Sequence, residues 1–282
     1  MPALPGGIER LIDLALEEDL GLGDVTSEAT IPAEATGRGT FLSKDELVLA
    51  GTAVARRVFE RLGATCRFDR EDGAPARRGD LLGVAEGPVR ALLAAERTSL
   101  NFLQRLSGVA TTTRRAVDAL AAGGGRTRLL DTRKTTPGWR RLEKDAVRAG
   151  GGVNHRFSLG DGILIKDNHA AAVGSVGEAV RRAKASVGHL WKIEAEVKSL
   201  TEYREAIAAG ADVILLDNMT DEEMASCVRE RPAGLLLEAS GNMSLERLPK
   251  VAALGVDLIS MGALTHSARA CDISLELESV RR

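Results

Sequence analysis

The feature that most constrains the fold is the alternation in the second half of the chain. Apolar runs end at Asp131, Lys166, Glu196, Asp217, Glu238 and Met261. Helical patterns lie between them at 178–185, 200–209, 221–231 and 245–254. Such alternation implies parallel strands joined by crossover helices. The segments AAGADVILLDN (208–218) and ALGVDLISMGA (253–263) are near copies, a modest internal repeat. A doubly wound sheet would need similar alternation. A barrel is favoured because nearly every run ends in a polar or charged group, as though all open into one mouth. Six runs do not support a complete eight-stranded barrel.

The first part of the chain has a different texture. Residues 7–20 read as an amphipathic helix with Ile8, Leu11, Ile12, Ala15 and Leu16 on one face. An extended, turn-rich region is expected from Thr26-Ser27. Short β-like runs at 39–42, 47–50 and 81–85 surround a helix near 53–62, an α+β arrangement. Pro88 suits the first residue of a helix running to about Leu106, with an apolar stripe of Leu92, Leu93, Leu100, Leu103 and Leu106. Arg97 borders that stripe, and snorkelling to solvent is its ordinary explanation. The expected organisation is an α+β domain over 1–108 and an α/β domain over 109–282.

Composition removes several function classes. The formal charge of -2 and 3% aromatic content disfavour nucleic-acid binding. No GxGxxG follows a strand, so a dinucleotide fold has no support. Cys66, Cys227 and Cys271 are widely separated and form no CxxC, which argues against a disulfide framework or a zinc site and suits a reducing cytoplasm. No apolar run reaches the length of a membrane span. The first residues carry Glu9, Asp13, Glu17, Glu18 and Asp19 rather than a basic leader, so a soluble, unexported protein is expected.

Against this background the stretch from Leu130 to His169 stands out. Between Arg126 and Arg156 there are nine Lys or Arg against three Asp or Glu. Arg140, Arg141, Lys144 and Arg148 sit at helical spacing with Glu143 and Asp145 and read as a solvated face. Arg133, Lys134, His155, Arg156 and Lys166 instead cluster at the ends of apolar runs, where a parallel barrel places its active site. A local basic excess there suits a small, highly anionic ligand.

The motifs DTRKTTPG, GGGVNHR and DGILIKDNH resemble the quinolinate phosphoribosyltransferase family nearly residue for residue. The resemblance extends from EDLGLGDVTS through ERTSLNFLQRLSG to THSARACDISLEL. It implies an α+β sandwich-like N-terminal domain followed by an open, incomplete parallel α/β barrel. It also implies transfer from 5-phosphoribosyl 1-diphosphate to quinolinate with decarboxylation, giving nicotinate mononucleotide, CO₂ and pyrophosphate. Arg133, Arg156 and His155, with Arg97 supplied by a neighbouring subunit of a homodimer or larger assembly, would then grip quinolinate. Lys134 and Lys166 would serve the diphosphate and the dianion. Glu196 and Asp217 would hold the ribose hydroxyls, directly or through Mg²⁺; by spacing alone they could equally be bases, metal ligands or a structural pair. Thr132, Ser240-Gly241, Gly262 and His266 complete the expected substrate set, the glycines letting backbone N–H groups approach phosphate.

Two departures from the family pattern are Trp139-Arg140 after the Pro-Gly turn and Ala195 between the glutamates. Two rival readings stand beside this one. The related protein of molybdenum-transport operons shares the fold but differs around KDNH, which is intact here. A catalytically silent barrel that senses phosphorylated ligands is the other.

Overall fold

The computed structural model describes residues 4–124 and 126–281, and its strands form two main sheets of opposite character. In chain order the elements begin with α1 (Gly6–Leu20), α2 (Val25–Thr30), β1 (Thr36–Ser43), β2 (Leu47–Val48), α3 (Thr52–Arg61), β3 (Thr65–Phe68), β4 (Pro75–Ala76) and β5 (Leu81–Pro88). The long helix α4 (Val89–Ala121) follows, then β6 (Arg128–Leu130), α5 (Arg140–Ala149), β7 (Ile163–Ile165), α6 (Asp167–Val173) and α7 (Val176–Ser186). Regular alternation then runs through β8 (Ile193–Val197), α8 (Leu200–Ala209), β9 (Val213–Asp217), α9 (Asp221–Glu230), β10 (Leu236–Ser240), α10 (Leu248–Ala253) and β11 (Leu258–Ser260). The chain closes with α11 (Ala263–His266) and β12 (Ile273–Arg281).

Two compact units emerge. The first collects the chain up to Arg114, Thr136–Gly151 and the segment from Ser267 onward. The second comprises Arg115–Thr135 and Gly152–His266. The expected border at residues 108 and 109 falls inside α4.

The first unit holds an antiparallel sheet in the order β12-β1-β5-β3. Its core gathers Phe41, Phe59 and Phe68: Phe41 meets Phe59 edge-on at 5.8 Å between ring centres and lies 5.1 Å from Phe68. Trp139, one of the departures noted above, stacks on Phe102 at 4.6 Å. Three elements correct the sequence expectation. The turn-rich start at Thr26 is the helix α2, capped by Asp24, whose side chain accepts from the Ser27 N–H. Pro88 ends β5 rather than opening α4, and α4 runs past Leu106 to Ala121.

Helix α5 supplies a further correction. Arg141 and Arg148 lie exposed beside Asp145, as a solvated face requires. Lys144 and Glu143, however, are 1% and 0% exposed. The Glu143 carboxylate accepts from Arg105 Nη2 at 3.0 Å, from the Thr136 N–H at 3.0 Å and from Thr136 Oγ1 at 2.8 Å. Removing one partner of a buried pair strands the other charge. Glu143→Ala should therefore cost about 3 kcal/mol, toward the lower end of the usual range because Arg105 keeps some solvent contact. Urea unfolding measures this, and a loss below about 1 kcal/mol would mean that the carboxylate is solvated after all.

The second unit is a six-stranded parallel sheet in the order β6-β11-β10-β9-β8-β7. Strands β6 and β7 are its two edges, and among the described residues a single parallel bridge from Leu130 to Val153 lies beside β6. This is the open, incomplete barrel. Ser175, Ser199 and Thr220 cap α7, α8 and α9 by accepting from backbone N–H groups three residues on. Cys66, Cys227 and Cys271 are free thiols, all buried. Among the described residues, no helix is long and apolar enough to cross a membrane.

Candidate active site

Side chains alternate along a strand, so every second residue of each barrel strand faces one mouth. On β8 these are Glu194 and Glu196, while Ala195 between them is fully buried on the opposite face. On β9 they are Leu215 and Asp217, and on β10 Glu238 and Ser240; Ser260 ends β11 and Lys166 follows β7. Parallel register brings Glu196 opposite Leu215, and Ser240 opposite Asp217. Thr132, Arg133, Lys134, His155 and Arg156 complete the wall of a cavity of about 290 Å³.

A larger hollow of about 440 Å³ lies beside the edge strand β7, but its wall is chiefly aliphatic, with Leu159, Ile163, Ile165 and Val173. It lacks the carboxylates and most of the cations that an anionic sugar donor needs. The smaller cavity holds the chemistry.

Its rim carries the polar strand ends. Lys166 Nζ stands 3.9 Å from Glu196 Oε2. Burial raises the pKa of Glu196; Lys166 opposes this shift and the charge of Asp217 adds to it. Asn218 Nδ2 donates to Asp217 Oδ1 at 3.0 Å, and Asn242 Nδ2 donates to Asn218 Oδ1 at 3.0 Å. Thr265 Oγ1 donates to the Lys134 carbonyl at 2.8 Å, and the Lys134 N–H donates to Thr132 Oγ1 at 3.0 Å. A Cβ at position 262 would meet Lys134 Cδ at 2.9 Å and His266 Nε2 at 3.2 Å. Glycine there lets the chain pass between them.

The floor is more deeply buried. Arg156 has its pKa lowered by burial first and by the charge of Arg133 second, while Glu194 and Asp161 oppose the shift. The two guanidiniums are therefore close enough to repel, and an arginine so placed stays charged. Arg156 Nη1 donates to the Gly162 carbonyl at 3.3 Å. The imidazole of His155 turns away from the rim: Nε2 lies 3.1 Å from Glu194 Oε2 and 3.7 Å from Glu238 Oε1. Its Nδ1 accepts from the Arg156 backbone N–H at 2.7 Å, and the His155 backbone N–H donates to Asp131 Oδ1 at 2.8 Å. Burial pushes the carboxyl of Glu238 well above its ordinary range, and the charge of Glu194 pushes it further.

Thus nine residues singled out from sequence, Thr132, Arg133, Lys134, His155, Arg156, Lys166, Glu196, Asp217 and Ser240, line one cavity. Lys134 and His266 both lie against Gly262, and Gly241 follows directly on β10. Arg97 belongs to the first unit, exposed on α4. Sequence reading gave no role to Asp131, Glu194, Glu238, Thr265 or the two asparagines. Asp131 and Glu238 were visible as ends of apolar runs; nothing local marked the others as partners.

Two family models match the chain. The C-terminal domain of quinolinate phosphoribosyl transferase matches residues 109–276, and the N-terminal domain matches residues 24–107. The probable nicotinate-nucleotide pyrophosphorylase (carboxylating) of Bacillus subtilis is 44% identical over 272 residues, covering 96% of this chain and 93% of that protein. The nicotinate-nucleotide pyrophosphorylase (carboxylating) of Mycobacterium leprae is also 44% identical, over 93% of this chain and 94% of its own. The crystal structure of NadC from Streptococcus pyogenes superposes with a TM-score of 0.92 at 40% identity, covering 100% of this chain and 99% of that one.

Proposed function

The chain belongs to the quinolinate phosphoribosyltransferase family, and on that premise we propose that the cavity of the second unit is where it joins quinolinate to 5-phosphoribosyl 1-diphosphate. The reaction yields nicotinate mononucleotide, CO₂ and pyrophosphate, a step of NAD biosynthesis. The observation that carries the assignment is the pairing of two guanidiniums, Arg133 and Arg156, with two lysines, Lys134 and Lys166, around one small cavity with acidic strand ends.

Quinolinate carries carboxylates on adjacent ring carbons, and guanidinium binds carboxylate through a two-pronged fork. Arg133 and Arg156 take these, and Lys134 and Lys166 meet the charge that grows on the departing diphosphate. The pyridine nitrogen attacks the anomeric carbon as the C–O bond to diphosphate breaks, through an oxocarbenium-like transition state. Positioning and fixed charge carry this step, so no protein nucleophile is needed. The bonded ring nitrogen is then cationic. It stabilises the electron pair left at the neighbouring carbon when CO₂ departs, and a proton adds there. Ser240 and the backbone at Gly241 and Gly262 serve the phosphate groups, with Thr132 and His266 beside them.

Glu196 and Asp217 also fit a Mg²⁺ ion. Both offer hard oxygen ligands at one rim, and the charge of Asp217 disfavours ionisation of Glu196, a conflict that a divalent cation would relieve. Such an ion supplies charge neutralisation to a diphosphate. Glu196→Ala and Asp217→Ala should raise KM for phosphoribosyl diphosphate about tenfold or more while quinolinate binding stays measurable by calorimetry. Abolished quinolinate binding in a still-folded variant would refute the assignment to the sugar. Our reading further includes a cytoplasmic homodimer with shared sites, or an assembly of such dimers, with Arg97 reaching the neighbour's cavity. The direct test of function is incubation of the purified protein with quinolinate, phosphoribosyl diphosphate and Mg²⁺. Nicotinate mononucleotide and CO₂ in equal amounts are expected, and their absence from folded protein would overturn the reading.

A further inference from the structure

Beneath the guanidiniums, His155, Glu194 and Glu238 form a cluster that the reaction as described does not use. One ligand atom from each lies within 4.8 Å of the other two, as in a divalent-cation site. The imidazole argues otherwise. Its Nδ1 accepts from the Arg156 N–H and therefore keeps its lone pair, which puts the ring proton on Nε2. An Nε2–H directed at Glu194 Oε2 is a donor, not a metal ligand. Glu194 and Glu238 are 8% and 1% exposed, and each has one buried oxygen, Oε1, without a hydrogen bond. Two carboxyls buried together at such a cost call for a reason in function.

We propose that Glu194 and Glu238 are a positioning pair for His155: they hold the imidazole as its Nε2–H tautomer, so that Nδ1 fixes the backbone at Arg156 and, through it, the guanidinium in the cavity. His155 then adds no positive charge to the substrate site; it aims the group that does. The link to substrate rests on the reading of Arg156 as a quinolinate-binding residue. Burial and the charge of Glu194 raise the pKa of Glu238, while His155 opposes the shift. Asp131, fully buried, anchors the His155 backbone from the other side.

The test reads tautomer and substrate separately. Long-range ¹H–¹⁵N spectra of the full-length protein, with the His155 signals identified by their loss in His155→Asn, should show the Nε2–H pattern. In Glu194→Leu that pattern should disappear, and KM for quinolinate should rise about tenfold with KM for phosphoribosyl diphosphate unchanged. Glu194→Gln keeps an acceptor oxygen and should restore both; it also serves if the leucine variant fails to fold. An Nδ1–H or doubly protonated ring in the wild type would overturn the proposal, as would stoichiometric divalent metal at the cluster or a parallel rise in both KM values. Calorimetry on Arg156→Ala keeps the two readings apart. Undiminished quinolinate affinity there would remove Arg156 from the substrate site and leave the tautomer result standing.

Discussion

Nicotinate should be a poor substitute for quinolinate, with kcat/KM lower by about ten- to a hundred-fold or more. It has one carboxylate where quinolinate has two, so one of the two guanidiniums would be left without its partner. Arg156 is half-buried, and burial and then the charge of Arg133 lower its pKa. A second anion is what that crowding of cations is built to receive, and each charge-assisted hydrogen bond lost is worth about 1.5–3 kcal/mol. The same reasoning predicts that Arg133→Lys will not preserve activity. Lysine keeps the charge but presents a point donor on a flexible stem, where the fork of guanidinium matches carboxylate geometry. Steady-state kinetics with both acids, on the wild type and on Arg133→Lys, provide the measurement. Comparable kcat/KM for the two acids would dismiss the assignment of Arg133 and Arg156.

What sequence revealed of this site followed the period of the strand. Lys166, Glu196 and Asp217 were legible because each ends an apolar run. The partners of His155 were not legible. Glu194 and Glu238 are far apart in the chain and meet only through the register of β8, β9 and β10, which no local pattern encodes. Solvation was misjudged for the same reason: Lys144 alternates with acids on α5 as a surface lysine would, yet that helix buries it. Helix α4 runs through Gly108, where a Cβ would collide with the Arg269 carbonyl, so glycine there answers a close approach. Strand β12 escaped notice because its partner β1 lies at the other end of the chain.

Arg97 offers the largest effect and the clearest test of assembly. The residue is exposed on α4, in the first unit, while the cavity belongs wholly to the second. In the proposed two-fold dimer it would complete the neighbour's cavity. Arg97→Ala and Lys166→Ala should each be nearly inactive alone, because each removes a cation from every site. Co-refolding the two variants should restore activity. A mixed dimer then contains one site with both residues intact and one with neither. Random pairing makes half the dimers mixed, so roughly a quarter of wild-type activity should return. The fraction is diagnostic, since two defects within one subunit's own site cannot complement each other. If native mass spectrometry shows mixed dimers and no activity returns, Arg97 acts within its own subunit or plays no part in the site.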